Sequence, residues 1–302
     1  MGDFVVCTSL ASGGLGRVLL AHPVGRPGDI VALKRAHPHL AGEPDVRSMW
    51  EREATYTAAL RHPCIVAGRG LIAAPDELVL ALDYVHGPSF AALLDGCARA
   101  GDSLGTPFVM RVLIDVLSAL GAVHALRDED LPIVHGDVNP RNVVIDVRGR
   151  AFLCDFGLAG PEAPYEDRGV FRGSAAYSAP ETVVRGERRI RSDLFAIGVV
   201  LWEALRTERL FRGAGDADSL RRVVDLDAPP LDRERPDLAT LAPIVKAWLS
   251  KEQDGRPSSA DECIAALSGV AVATRDEVAA VVRSRAATEL ARREASMPRL
   301  EM

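Results

Sequence analysis

Between residues 133 and 157 the chain alternates short apolar runs with isolated hard polar groups. Ile133-Val134 leads into His135-Gly136-Asp137-Val138-Asn139-Pro140-Arg141-Asn142, and Val143-Val144-Ile145 leads out. Phe152-Leu153-Cys154 then delivers Asp155-Phe156-Gly157. Short apolar runs bounded by turn residues read as buried strands, so Asp137, Asn142 and Asp155 ride on the turns between them. Polar groups at the rim of an apolar core must meet hydrogen-bond partners or a cation. Asp137 and Asn142, five residues apart, suit a general base and a metal ligand. Asn142 and Asp155 offer hard oxygens, which fit Mg2+ (or Mn2+) and not zinc.

The N-terminal part supplies a second polar set. Phe4–Leu10 and Arg17–Ala21 read as strands around the turn Ser12-Gly13-Gly14-Leu15-Gly16, a hairpin pattern. Glycines there let backbone N–H groups approach a phosphate, although a plain hairpin uses the same residues. Val31-Ala32-Leu33-Lys34 places a lysine in an apolar strand, where burial is costly without an anion. Glu53 lies on a predicted helix over Pro44–Leu60, opened by proline, and is the carboxylate within reach. A lysine whose stem lies on apolar surface while its head reaches water is the alternative. Only three of the 36 basic residues are lysines, so a lysine kept at this position is informative.

In this order the motifs resemble those of the eukaryotic-like protein kinase family, bacterial Ser/Thr kinase type. Three later segments strengthen the resemblance: Gly173-Ser174-Ala175-Ala176-Tyr177-Ser178-Ala179-Pro180-Glu181, Ser192–Gly198 and Gly255-Arg256-Pro257. The likeness covers about residues 4 to 268. It implies an α+β, two-lobed fold: a small antiparallel sheet with one helix, then a larger helical lobe. The expected boundaries are residues 1–82, a hinge at 83–88, a second lobe at 89–270 and a polar helical tail at 271–302.

The resemblance also implies roles. Leu10, Ala11, Ser12, Gly13, Gly14, Leu15 and Gly16 would cover the phosphates of ATP. Val18 and Ala32 would sandwich adenine, with Leu82 behind it and the backbone of Asp83 and Val85 reading its edge. Lys34, held by Glu53, would grip phosphate, and Asp137 would accept the proton of a substrate hydroxyl. Asn142 and Asp155 would hold the metal ions. Ser174 and Tyr177 would dock a protein substrate, and Glu181 with Arg256 would form a structural ion pair.

Three positions depart from the family pattern. Ala11 replaces a loop glycine. Gly136 replaces the arginine that meets a phosphorylated activation loop, and Leu158–Gly173 contains no Ser or Thr, only Tyr165. A kinase not switched by activation-loop phosphorylation is expected. Asn139 replaces a lysine that neutralises phosphate, and Arg141 is positioned to restore that charge; an exposed arginine without function is the alternative. His-Gly-Asp also occurs in aminoglycoside- and choline-kinase-like phosphotransferases, and a pseudokinase that binds nucleotide without transfer is a further reading. The docking segment speaks against the first, and the retained Lys34, Glu53, Asp137, Asn142 and Asp155 against the second.

Composition narrows the partners. The net charge is −6, which gives no basic nucleic-acid footprint, and Arg185–Arg191 reads as solvated surface. No 20-residue apolar span stands out in the sequence, so no membrane association is expected. Cys7, Cys64, Cys97, Cys154 and Cys263 form no Cys-x-x-Cys pair, which points away from disulfides and zinc and toward a reducing cytoplasm. The expected partners are a protein carrying Ser/Thr hydroxyls and a signalling protein that supplies the sensing function.

Overall fold

A computed structural model describes residues 3–163, 173–233 and 235–298. Its first part is an antiparallel sheet built from β1 (Phe4–Ser12), β2 (Gly16–Pro23), β3 (Val31–Ala36), β4 (Gly68–Ala74) and β5 (Glu77–Asp83), in the order β1-β2-β3-β5-β4. The sequence reading had no strand at β4, whose glycines and exposed positions hide the alternation. Helix α1 (Pro44–Ala59) packs on one face of this sheet through Val46, Met49 and Trp50, while its Tyr56 joins the helical core that follows. Proline opens that helix without cost, because its missing N–H has no intrahelical partner there.

The chain then turns helical: α2 (Phe90–Ala100) and α3 (Thr106–Ala125) come first. Short strands follow, β6 (Arg127–Asp128), β7 (Leu131–Val134), β8 (Val143–Ile145), β9 (Ala151–Leu153) and β10 (Gly160–Pro161). Helices α4 (Pro180–Arg185), α5 (Ile190–Arg206), α6 (Asp216–Asp225), α7 (Ala242–Trp248) and α8 (Ala260–Ala266) complete this part. One large apolar core joins α3 and α5 to the helices around them. Helix α3 is long and apolar enough to cross a membrane by length and composition, and most of that stretch is buried inside this core.

In sequence Thr106, Ser192 and Ser259 (with Glu262) read as helix caps and Asp237–Leu249 as one helix, and the structure shifts several of these. Ser192 does not cap α5; Arg189 is at the cap, and the Ser192 hydroxyl accepts the Arg189 N–H at 3.2 Å while donating to Glu181 at 2.7 Å. Thr106 is the first residue of α3, after Gly105 at the cap with φ 78°. The helix expected over Asp237–Leu249 is split into a 3-10 turn at Pro236–Leu238 and α7, because Pro243 and the cap at Leu241 restart it. Ser259 does cap α8, accepting the Glu262 N–H at 3.2 Å, but the Glu262 carboxylate turns to Ser258.

The C-terminal segment forms α9 (Arg275–Arg285) and α10 (Ala287–Ala295). Thr274 and Glu277 form a reciprocal capping box that starts α9. Val278 and Val282 are fully buried in the helical core. Arg275 makes a two-pronged contact with the buried Asp115, both bonds at 2.9 Å. Gly149 permits this packing, since a Cβ there would lie 2.0 Å from the Arg275 carbonyl oxygen. Further along, Arg293 donates to the Gly87 carbonyl at 2.7 Å and Glu294 pairs with His86 at 3.0 Å. These two helices therefore contact both Asp115 of α3 and the segment His86–Gly87 that follows β5.

Candidate active site

Register places the lysine. Lys34 sits on β3 opposite Val18 of β2 and Leu80 of β5, and its side chain faces α1. Its Nζ lies 2.6 Å from Glu53 Oε2 and 2.6 Å from Asp155 Oδ1, and 4.9 Å from the centre of the Trp50 ring. Burial works against the ammonium, but the two carboxylates outweigh it and hold the Lys34 pKa above the ordinary lysine value. Burial pushes the Glu53 carboxyl up to about 6, partly offset by Lys34. At Asp155 burial also pushes upward, yet Lys34 wins and the carboxyl lies below its ordinary value. Asp155 has φ 65°, a left-handed conformation that is uncommon outside glycine and clusters at functional sites.

Asn142 and Ser174 hold Asp137 through three hydrogen bonds. Asn142 Nδ2 donates to its Oδ2 at 3.0 Å and to its carbonyl at 2.9 Å. The Ser174 N–H donates to its Oδ1 at 2.9 Å. Burial, then the nearby Asp155 charge, raises the Asp137 pKa, and the Ser174 bonds temper the rise. The Asn142 amide nitrogen is thereby committed, which leaves its Oδ1 as the hard oxygen for a cation. Among the described residues no cluster of three His, Cys, Asp or Glu could hold a metal by itself. Asn142 and Asp155 fit a hard cation that takes its other ligands from phosphate and water.

The protein kinase domain model matches residues 4–266. The chain belongs to the protein kinase family. It is 33% identical over 267 residues to the tyrosine-protein kinase MasK of Myxococcus xanthus, covering 85% of this chain and 41% of MasK. It is 29% identical over 261 residues to the serine/threonine-protein kinase PknF of Mycobacterium tuberculosis, covering 84% of this chain and 53% of PknF. The serine/threonine-protein kinase PkaB of Streptomyces coelicolor is 32% identical over 232 residues, or 74% of this chain and 53% of PkaB. The chain thus spans about half or less of the length of these relatives.

Val18, Ala32, Leu82, Val85, Phe152 and Cys154 share one apolar cluster. Asp83 turns its carboxylate to Arg69 at 2.5 Å and its N–H to the Ala67 carbonyl. Gly16 is required by β3, because a Cβ would meet the Arg35 carbonyl oxygen at 2.1 Å. Gly13 and Gly14 have no such close neighbour at the Cβ position, and Gly13 closes the turn through its N–H to the Gly16 carbonyl at 2.8 Å. Leu10, Ala11 and Ser12 lie at the end of β1, where Ala11 pairs with Val18, and Leu15 is exposed at the tip.

The substituted positions have definite places. Asn139 is buried and braces the loop, donating from Nδ2 to the Asp137 carbonyl at 3.0 Å and accepting the Arg141 N–H at 2.9 Å. Arg141 is exposed, and its guanidinium makes no hydrogen bond or ion pair among the described residues. Burial, followed by the Asp155 and Glu53 charges, raises the Cys154 thiol, which disfavours its thiolate form. Tyr177 donates to Glu203 at 2.7 Å and receives Arg209 at 3.0 Å. Glu181 and Arg256 form a buried two-pronged pair, both bonds at 2.8 Å, with Phe195 stacked 4.8 Å from the guanidinium. Tyr165 lies outside the described residues.

The sequence reading missed Asp193 as a loop holder. On the apolar helix α5 it accepts the N–H of His135 at 2.8 Å, the N–H of Gly136 at 2.9 Å and His124 Nε2 at 2.9 Å. The signal was available: an aspartate inside a fully buried helix needs donors. The His135 ring packs edge-on against Phe156 at 4.9 Å.

Proposed function

We propose that the chain is an ATP- and divalent-cation-dependent protein kinase that phosphorylates Ser/Thr hydroxyls and is not switched by activation-loop phosphorylation. The carrying observation is the assembled pair of contacts from Lys34 to Glu53 and Asp155, opposite Asp137 and Asn142. When bound, Mg2+ or Mn2+ supplies neutralisation of the charge on the phosphates. Lys34 orients the phosphates while Glu53 keeps it from swinging away. Asp137, its oxygens oriented by Asn142 and Ser174, takes the proton of the substrate hydroxyl. Arg141, exposed beside this loop, supplies the charge lacking at Asn139. The Ser/Thr preference is supported by PknF and PkaB, and Ser174–Tyr177 docks the substrate segment.

A tyrosine-directed reading has its own support in MasK and in Arg141. Phosphoamino-acid analysis of a labelled peptide library separates them: phosphoserine and phosphothreonine are expected, and phosphotyrosine alone overturns the Ser/Thr assignment. Asp137→Ala abolishes transfer while nucleotide affinity is kept; surviving transfer would falsify the base assignment. Arg141→Ala lowers kcat on the order of 10²-fold if it carries the missing charge. Drugs and choline offered beside protein test the small-molecule alternative. The missing Ser/Thr between Leu158 and Gly173 supports control by a partner protein. Five unpaired cysteines support a reducing, cytoplasmic setting.

A further inference from the structure

The run Arg185–Arg191 reads in sequence as solvated surface, but Arg188 does not behave that way. It lies on the connection between α4 and α5 and is only partly exposed. Its Nη1 donates to the Leu158 carbonyl at 2.6 Å, and its own N–H donates to the Ala163 carbonyl at 3.2 Å. One residue therefore grips both ends of the segment 158–163, which begins right after Asp155-Phe156-Gly157. That segment is also tied down along its length. Strand β10 pairs with β7, with Gly160 opposite Val134, and the Ile190 N–H donates to Glu162 Oε1 at 3.3 Å.

The frame holding Arg188 is rigid. The Glu187 N–H donates to the Glu181 carbonyl, Thr182 donates to the Glu187 carbonyl at 2.8 Å, and Glu181 is locked to Arg256. The place Arg188 occupies is telling. Gly136 has φ 77°, and a Cβ built on it would point at the Leu158 carbonyl oxygen, 3.0 Å away, and at Arg188 Cζ, 3.8 Å away. Any side chain at 136 would enter the space where the Arg188 guanidinium already bonds that carbonyl. Arg188 also lines the small cavity of about 20 Å³ beside Asp137, Ser174 and Asp193.

We propose that Arg188 is a positioning residue for phosphoryl transfer. From the α4–α5 connection it fixes the chain that follows Asp155, in the space that Gly136 leaves open, so that Asp155 and Asp137 keep their spacing without a phosphorylated residue. This rests on the kinase reading above and adds the residue that makes the site ready before any signal.

The test uses the full chain with Arg188→Ala, Arg188→Met and Arg188→Lys. Three readouts are compared: kcat and KM for ATP, thermal melting, and amide hydrogen exchange across residues 156–163. In the Ala and Met variants kcat falls on the order of 10- to 10²-fold, as expected for misplaced catalytic groups. KM for ATP and melting stay near those of the parent, and amides of 158–163 exchange faster. Arg188→Lys, which keeps one charged donor, recovers part of kcat and of the protection. Unchanged kcat and exchange in Arg188→Ala overturn the proposal. So does a parallel loss of ATP binding and cooperative melting in all three variants, which would mark Arg188 as a folding residue only. If the parent chain transfers no phosphate, the kinase reading fails, while exchange in the variants still decides whether Arg188 holds the segment.

Discussion

Lys34 Nζ and Glu53 Oε2 are 2.6 Å apart, and the glutamate side chain has no exposed surface. Its carboxyl is pushed up to about 6 by burial. As pH falls through about 6 the carboxylate takes a proton and Lys34 loses an anionic partner. Phosphoryl transfer is therefore expected to drop on an acid limb near pH 6. Fold stability moves the other way. The folded pKa lies above the ordinary 4.5, so the group favours the fold when protonated; that contribution is full below 4.5 and lost as pH rises through about 6. The difference amounts to about 2 kcal/mol. Glu53→Gln should give low activity at every pH and a pH–rate profile without this limb. An identical limb in Glu53→Gln would assign it to another group.

The Glu181–Arg256 pair is buried on both sides and is further bonded to Ser192, Ser250, Arg191 and Lys251. Removing one partner strands a charge in the core. Arg256→Met should cost about 3–5 kcal/mol of stability, read in urea unfolding. The Glu181→Gln/Arg256→Met double variant should recover part of that loss, because no charge is left unpaired.

Two glycines of the same turn should respond differently. Gly16→Ala drives a Cβ into the β3 backbone at the Arg35 carbonyl, so thermal stability should fall by about 1–3 kcal/mol. Gly14→Ala meets nothing within 4 Å and should leave melting unchanged. Any rise in KM for ATP in Gly14→Ala then reports on nucleotide approach alone. Equal destabilisation by both would contradict the packing at Gly16.

Helices α9 and α10 should matter to nucleotide binding as well as to stability. Arg275→Ala leaves the buried Asp115 carboxylate without its two-pronged partner and should cost about 1–3 kcal/mol in chemical unfolding. Arg293→Ala removes the donor on the Gly87 carbonyl, close to Asp83–Val85, the segment that the family resemblance assigns to the adenine edge. It should raise KM for ATP several-fold while melting changes little. An Arg293→Ala enzyme with parental KM would confine the tail to a packing role.

Much of the site was legible because its chemistry is local. Asp137 and Asn142 share one loop, Asp155 ends one short strand, and Lys34 is exceptional in a chain rich in arginine. Strands around them showed as apolar runs, and proline marked the start of α1. The misses were of another kind. Ser192 reads as a cap from its neighbours in sequence, yet its hydroxyl serves Glu181, eleven residues earlier. Strand β4 is hidden because its partner, and not its own pattern, makes it a strand.

Residue type and spacing marked the candidate chemical groups and carried the resemblance to the family, which in turn implied the two-lobed architecture, because short motifs are local in sequence. Tertiary structure decided which groups meet. Lys34 reaches Asp155 across 121 positions, Arg256 reaches Glu181 across 75, and Arg293 reaches Gly87 across 206. It also decided that Arg188, in the run Arg185–Arg191, turns its guanidinium to the Leu158 carbonyl. No periodicity encodes such contacts. They arise when packed elements bring a buried carbonyl or carboxylate to one side chain, and the cost of leaving it unpaired selects that partner.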